Sequence, residues 1–133
     1  SAYLHQFTCG KYHRIWTRLG EKTLLVDDDK QHAFRVEQLS SGTKEQVFLS
    51  IRLAMIRDFA RNGTELPMVL DDVTVNFDQT RLEAAAKTLL DVSSQGQQIL
   101  LLTCHLHFAQ LFQQQGHEPI WLPALRESQW QPR

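Results

Sequence analysis

Apolar and polar residues follow one rhythm before Leu39 and another after it. Over residues 1–9, Tyr3, Leu4 and Phe7 recur at helical spacing, and Gly10 offers a stop. Two or three short strands are predicted next, Tyr12–Arg18, Lys22–Val26 and about Ala33–Val36. The polar stretch Asp27-Asp28-Asp29-Lys30 between the last two suits an exposed hairpin turn, so this part reads as a small antiparallel meander.

From Leu39 onward the apolar steps lengthen to three and four residues. Phe48, Ile51, Met55 and Phe59 mark the apolar side of an amphipathic helix that ends near Asn62-Gly63. Pro67 precedes Met68-Val69-Leu70, an apolar run closed by Asp71-Asp72, as a buried parallel strand would be. A second helix is predicted from Thr80 to about Val92, with Leu82, Ala85, Ala86 and Leu89 on one face. Gln98–Thr103 follows as a strand apolar on both faces, then a helix over Leu106–Gln115 and a last short strand at Ile120-Trp121-Leu122. Such alternation of helix and strand argues for an α/β fold with a parallel sheet flanked by helices. The expected organisation is one domain: a helix end at 1–10, the meander at 11–37, the α/β part at 38–122 and a tail at 123–133.

Composition narrows this little. The 133 residues suffice for one core, 42% of them are hydrophobic, and the net charge of -1 provides no global field for nucleic acid. Cys9 and Cys104 form no C-x-x-C pair. They read as reduced thiols of a cytoplasmic protein, with a single bridge as the alternative. No apolar run reaches transmembrane length, so no membrane partner is expected. The chain starts Ser1-Ala2 in helix-compatible sequence, which suggests an excised piece of a longer protein.

Four short motifs carry candidate chemistry. Leu39-Ser40-Ser41-Gly42-Thr43 opens the first long helix, where free N–H groups and the helix dipole can receive a phosphate. The plainer reading is that Ser41 or Thr43 caps the helix, Thr43-x-x-Gln46 being a capping-box pattern. Asp71-Asp72 lies at the carboxyl end of a predicted strand, where ligands of open α/β sheets gather. Two acids there can hold Mg²⁺ and orient a water, or simply mark a solvated strand exit. In Val75-Asn76-Phe77-Asp78, Asp78 can cap the next helix. Thr103-Cys104-His105 ends the next strand and would project His105 at the same sheet edge. His105-x-His107 beside Cys104 also raises a zinc site, which lacks a second Cys or His cluster to complete four ligands.

Taken in order, these motifs resemble the C-terminal half (lobe II) of an ATPase head of the SMC/SbcC/RecN group of ABC ATPases, a branch of the P-loop NTPases. The resemblance covers about residues 11–122. Leu39–Gly42 is similar to the signature motif, Met68–Asp72 to the Walker B strand, Asn76-Phe77-Asp78 to the D-loop, and His105 falls at the switch histidine. Val69-Leu-Asp-Asp followed by Val75-Asn-Phe-Asp is most similar to the YhaN-like relatives of SbcC. The chain departs from the pattern in having Asp72 where glutamate is usual, in reading Leu-Ser-Ser-Gly-Thr at the signature, and in containing no G-x-x-x-x-G-K-[ST] phosphate loop. In the resembled group that loop belongs to the N-terminal half of the head, across a long coiled coil.

The resemblance implies ATP and Mg²⁺ as ligands of the complete head, with Asp71 on the metal, Asp72 on the attacking water and His105 at the γ-phosphate. It further implies that Ser40, Ser41 and Gly42 close over nucleotide held by a second copy of the head, with Asp78 coupling the two sites. The implied partners are the N-terminal half of the same head, a second head, DNA and an SbcD-like nuclease, in DNA repair or chromosome maintenance. The alternatives are a scaffold module that keeps the fold without hydrolysis and a transporter-type ATPase, the latter disfavoured by the missing first half.

Overall fold

The computed structural model describes residues 2–123. Helix α1 (Ala2–Phe7) ends where Gly10 turns back at φ 86°, and strands β1 (Tyr12–Thr17), β2 (Leu24–Asp28) and β3 (Ala33–Arg35) form an antiparallel sheet in the order β1-β2-β3. The expected turn lies later than its charges suggested, because Asp27 and Asp28 belong to β2. Asp27 accepts a hydrogen bond from the indole N–H of Trp16, and Asp28 Oδ1 accepts from the backbone N–H groups of Lys30 and His32. Both acids therefore have work inside the hairpin, and the bend moves to the residues after them.

Helix α2 (Ser41–Arg61) is followed by β4 (Met68–Asp71), α3 (Gln79–Ser94), β5 (Ile99–Leu102) and α4 (Leu106–Gln113). β4 and β5 pair in parallel, Met68 opposite Ile99 and Asp71 opposite Leu102, so the two strands end at one edge. The α/β expectation and its preceding meander are both present.

Two apolar clusters fill the interior. Leu49, Leu53, Met68, Leu70, Ala85, Leu89 and Phe108 belong to one, while Leu4, Tyr12, Val26, Val36, Leu39 and Val47 close the meander against the start of α2. Helix α1 joins them, placing Tyr3 and Phe7 in the first and Leu4 in the second. Buried Gln46 stands between them and donates from its amide to the Phe7 carbonyl.

Two sequence expectations are corrected. In α2 the buried face is Val47, Leu49, Ser50 and Leu53, whereas Phe48, Met55 and Phe59 are 48%, 55% and 46% exposed. Ile51, the fourth residue of the predicted stripe, is partly buried against the second cluster, while Leu49 and Leu53 share the first with residues of α1, β4 and α3. The last strand is absent as well: Ile120, Trp121 and Leu122 are irregular and 89%, 68% and 76% exposed. Pro119 and Pro123 flank that run, and proline cannot donate to a sheet ladder.

Candidate functional site

The carboxyl ends of β4 and β5 hold the densest group of reactive side chains. Parallel pairing fixes this: once Asp71 stands opposite Leu102, Asp72 and the Thr103-Cys104-His105 segment leave the sheet side by side. Asp72 sits in the left-handed region at φ 47°, unusual for a residue with a Cβ, and its N–H still donates to the Leu102 carbonyl. That backbone turn carries the carboxylate across to the end of β5.

There Asp72 Oδ1 accepts from the Cys104 backbone N–H at 3.2 Å and from the Thr103 hydroxyl at 3.3 Å. Oδ2 accepts from the Cys104 thiol at 3.1 Å, and His105 Nε2 lies 4.0 Å from Oδ1. The Cys104 thiol and backbone N–H, with help from Thr103 and the nearby imidazole, hold the Asp72 carboxyl below the usual 3.8. The same contact acts in reverse on the thiol: hydrogen bonding to Asp72, then desolvation and the carboxylate's charge, raise Cys104 above its ordinary 9.0. At neutral pH the pair is a carboxylate and a protonated thiol. Asp71 is exposed at the end of β4, an oxygen donor free of such bonds among the described residues.

A second group lies where α2 begins. Ser40 is the N-cap, its Oγ 3.4 Å from the Thr43 N–H and 2.9 Å from the Thr43 hydroxyl. The cap thus falls one residue earlier than Ser41, and Thr43 and Gln46 are buried in the helix instead of forming a capping box. Gly42 packs against the 76–81 segment so closely that a Cβ there would stand 2.6 Å from the Asn76 carbonyl oxygen. Asn76 also donates to Glu45, and Asp78 caps α3 by accepting from the Arg81 N–H at 2.9 Å. The Arg81 guanidinium pairs with Asp78 and reaches to 3.5 Å of the Thr43 hydroxyl. Ser40, Gly42 and Asp78 therefore belong to one packed unit.

The structure brings Asp72 and His105 together and leaves His107 apart, hydrogen-bonded to Gln79. Sequence reasoning missed Cys104 and Thr103 as partners of Asp72, and Glu45 and Arg81 as the ties between the helix start and the 76–81 loop. The only available signal was that Thr103 and Cys104 directly precede His105 at a strand end. Both cysteines are free and exposed, which removes the bridge alternative. No described helix is long and apolar enough to cross a membrane.

No protein-family model matches the sequence. The chain is 36% identical over 111 residues to YhaN of Bacillus subtilis (strain 168), itself uncharacterized; the match covers 83% of this chain and 11% of YhaN, so the chain spans about a ninth of that relative's length. A solved structure from work on ATP-driven dimerization and DNA-stimulated activation of SMC ATPases superposes with a TM-score of 0.58 at 16% identity, covering 81% of this chain and 68% of the other. With an antiparallel meander beside a parallel strand pair, the chain shares the fold of that SMC ATPase structure, and in sequence it is similar to YhaN.

Proposed function

We propose that this chain supplies the acidic strand end and the signature-like helix of an ATP site completed by residues outside it. The observation that carries this reading is the convergence of Asp72 and His105 beside Asp71 at the carboxyl ends of two parallel strands. That edge is where open α/β sheets bind ligands.

Asp71 is placed to hold Mg²⁺, directly or through water, and that ion when bound neutralises charge on the phosphates. A single exposed carboxylate suits this ion, which keeps most of its water and uses one or two carboxylates. Asp72 orients the attacking water. Its low pKa keeps it anionic, so it acts by positioning and polarising the water more than by holding a proton. His105 donates to the γ-phosphate. The α2 N-terminus, with Ser40, Ser41 and Gly42, meets nucleotide bound to a second head, and Asp78 ties that contact to the neighbouring loop. ATP then joins two heads and its hydrolysis parts them. DNA engagement, an SbcD-like nuclease partner and a cytoplasmic setting belong to the whole protein in this reading.

One observation favours a second reading, a head-like scaffold without hydrolysis. Both Asp72 oxygens are already engaged by Cys104 and Thr103. ATP turnover by the full-length protein separates the two. In the ATPase reading, Asp72→Asn lowers turnover about a hundredfold or more while ATP binding and ATP-dependent dimerisation persist. Asp71→Asn instead weakens Mg²⁺-dependent nucleotide binding. Identical defects would overturn the division of labour, and no turnover in the unsubstituted protein would leave the scaffold.

A further inference from the structure

We propose that Asp72, Cys104 and His105 form a binding site for a borderline-soft divalent metal ion, Zn²⁺ by ligand type, separate in chemistry from the Mg²⁺ position at Asp71. One carboxylate oxygen, one sulfur and one imidazole nitrogen lie within 4.8 Å of one another. The carboxylate reaches both partners, with Oδ2 3.1 Å from Sγ and its other oxygen, Oδ1, 4.0 Å from Nε2. Metal–ligand bonds of about 2.0–2.3 Å in a tetrahedron put neighbouring ligand atoms roughly 3.3–3.8 Å apart. Adjustments on the order of 1 Å in exposed side chains therefore close the set around one ion.

The donor types select the metal. Thiolate and imidazole favour Zn²⁺, Co²⁺ and similar ions, and neither suits Mg²⁺. Supporting contacts are in place before any ion arrives: Cys104 N–H and the Thr103 hydroxyl fix Oδ1, and the Thr103 hydroxyl also accepts from the His105 N–H at 3.0 Å. Such outer bonds orient ligands and strengthen binding. On binding, the Cys104 S–H bond breaks, its proton passes to solvent, and the sulfur's electron pair forms the bond to the metal. Three protein ligands leave the fourth position open to water or a phosphate oxygen. The sequence pattern His105-x-His107 beside Cys104 raised a zinc site; in the fold Asp72, just past β4, joins Cys104 and His105, and His107 bonds Gln79 instead.

A regulatory consequence rests on the proposed ATPase reading: an ion held here takes Asp72 and His105 away from water and phosphate, so Zn²⁺ suppresses turnover. The test uses Co²⁺ as the probe on full-length protein without ATP. Binding should produce a saturable thiolate-to-cobalt absorption band that Zn²⁺ abolishes and excess Mg²⁺ leaves unchanged. Cys104→Ala should remove the band, and His105→Ala should weaken Co²⁺ binding about tenfold or more. Cys104→Ser, nearly isosteric, guards against misfolding and should also lose the band. A band that persists in both Cys104 variants, or never forms, overturns the site. In turnover assays, Zn²⁺ should inhibit the unsubstituted protein, while whatever turnover Cys104→Ala retains should be insensitive to Zn²⁺. Band formation without inhibition overturns the regulatory clause alone, as does a protein without turnover.

Discussion

The Asp72–Cys104 contact shifts the ionisation of both side chains, which gives two measurable consequences. Its depressed pKa means that its stabilising contacts are fully present above the ordinary 3.8 and are lost as pH falls through the lower folded value. The Cys104 amide resonance should therefore titrate with a midpoint below 3.8 in NMR; a midpoint at or above it would show that the thiol and amide contacts are not formed. In the other direction, Asp72 holds the Cys104 thiol protonated. Asp72→Asn should make Cys104 alkylate faster at mildly alkaline pH while exposed Cys9 keeps its rate, with peptide mass spectrometry as the readout. Asparagine tolerates the left-handed backbone, so this substitution changes charge more than shape. Gly42 poses a steric case at the same scale. Gly42→Ala drives a methyl into the Asn76 backbone oxygen, which cannot swing away as a side chain tip can. It should cost about 1–3 kcal/mol in denaturant unfolding. An unchanged midpoint would mean that α2 and the 76–81 loop separate at little cost.

Among the elements, α4 is the most dependent on one contact. At eight residues it is far shorter than an isolated helix needs, and its N-cap, His105, makes no side-chain capping bond. Phe108 is its one buried residue, fully enclosed in the larger cluster and edge-on to Phe112 with ring centroids 5.2 Å apart. Phe108→Ala should destabilise the protein by about 3–5 kcal/mol. It should also raise amide exchange across Leu106–Gln113 ahead of the rest of the chain. Because His105 is the N-cap of α4, fraying of the helix should loosen the Asp72–His105 pair as well. Global unfolding without prior exchange in α4 would contradict this order.

Across the whole molecule, α1 and α2 tie two apolar clusters together, and apolar surface remains open on the far sides. Phe48, Met55 and Phe59 stand exposed on α2, and Val69, Leu100 and Leu102 stand exposed on the parallel strand pair. A face of this kind promotes association. The 133-residue chain should self-associate at high concentration, and replacing Phe48, Met55 and Phe59 by serine should reduce light scattering without altering far-UV circular dichroism. Equal scattering from both forms would shift attention to the strand pair. Quick amide exchange at Ile99–Leu102 in a monodisperse monomer would show that this edge is bare. The segment after Pro123, which carries Trp130 and is long enough to cover that edge, lies outside the described residues.

Local chemistry was enough to read most of the elements up to α4: the β-rich stretch before Leu39, the Asn62-Gly63 end of α2 and the acids that close β4 are all written in short-range pattern. So were Asp71, Asp72 and His105 as strand-end candidates, since residues just past parallel strands share an edge whatever the rest of the fold does. Which face of α2 turns inward was decided only in the tertiary structure, because Phe48-Met55-Phe59 and Leu49-Leu53 are both apolar at helical spacing. A periodic pattern cannot choose between two apolar stripes; the packing of α1, β4 and α3 chose. Likewise, Ile120-Trp121-Leu122 had strand composition but pairs with no strand among the described residues. The Asp72–Cys104 contact joins residues 32 positions apart in the chain. It exists because the β4–β5 register and a left-handed turn at Asp72 bring carboxylate and thiol together, and sequence spacing holds no trace of either.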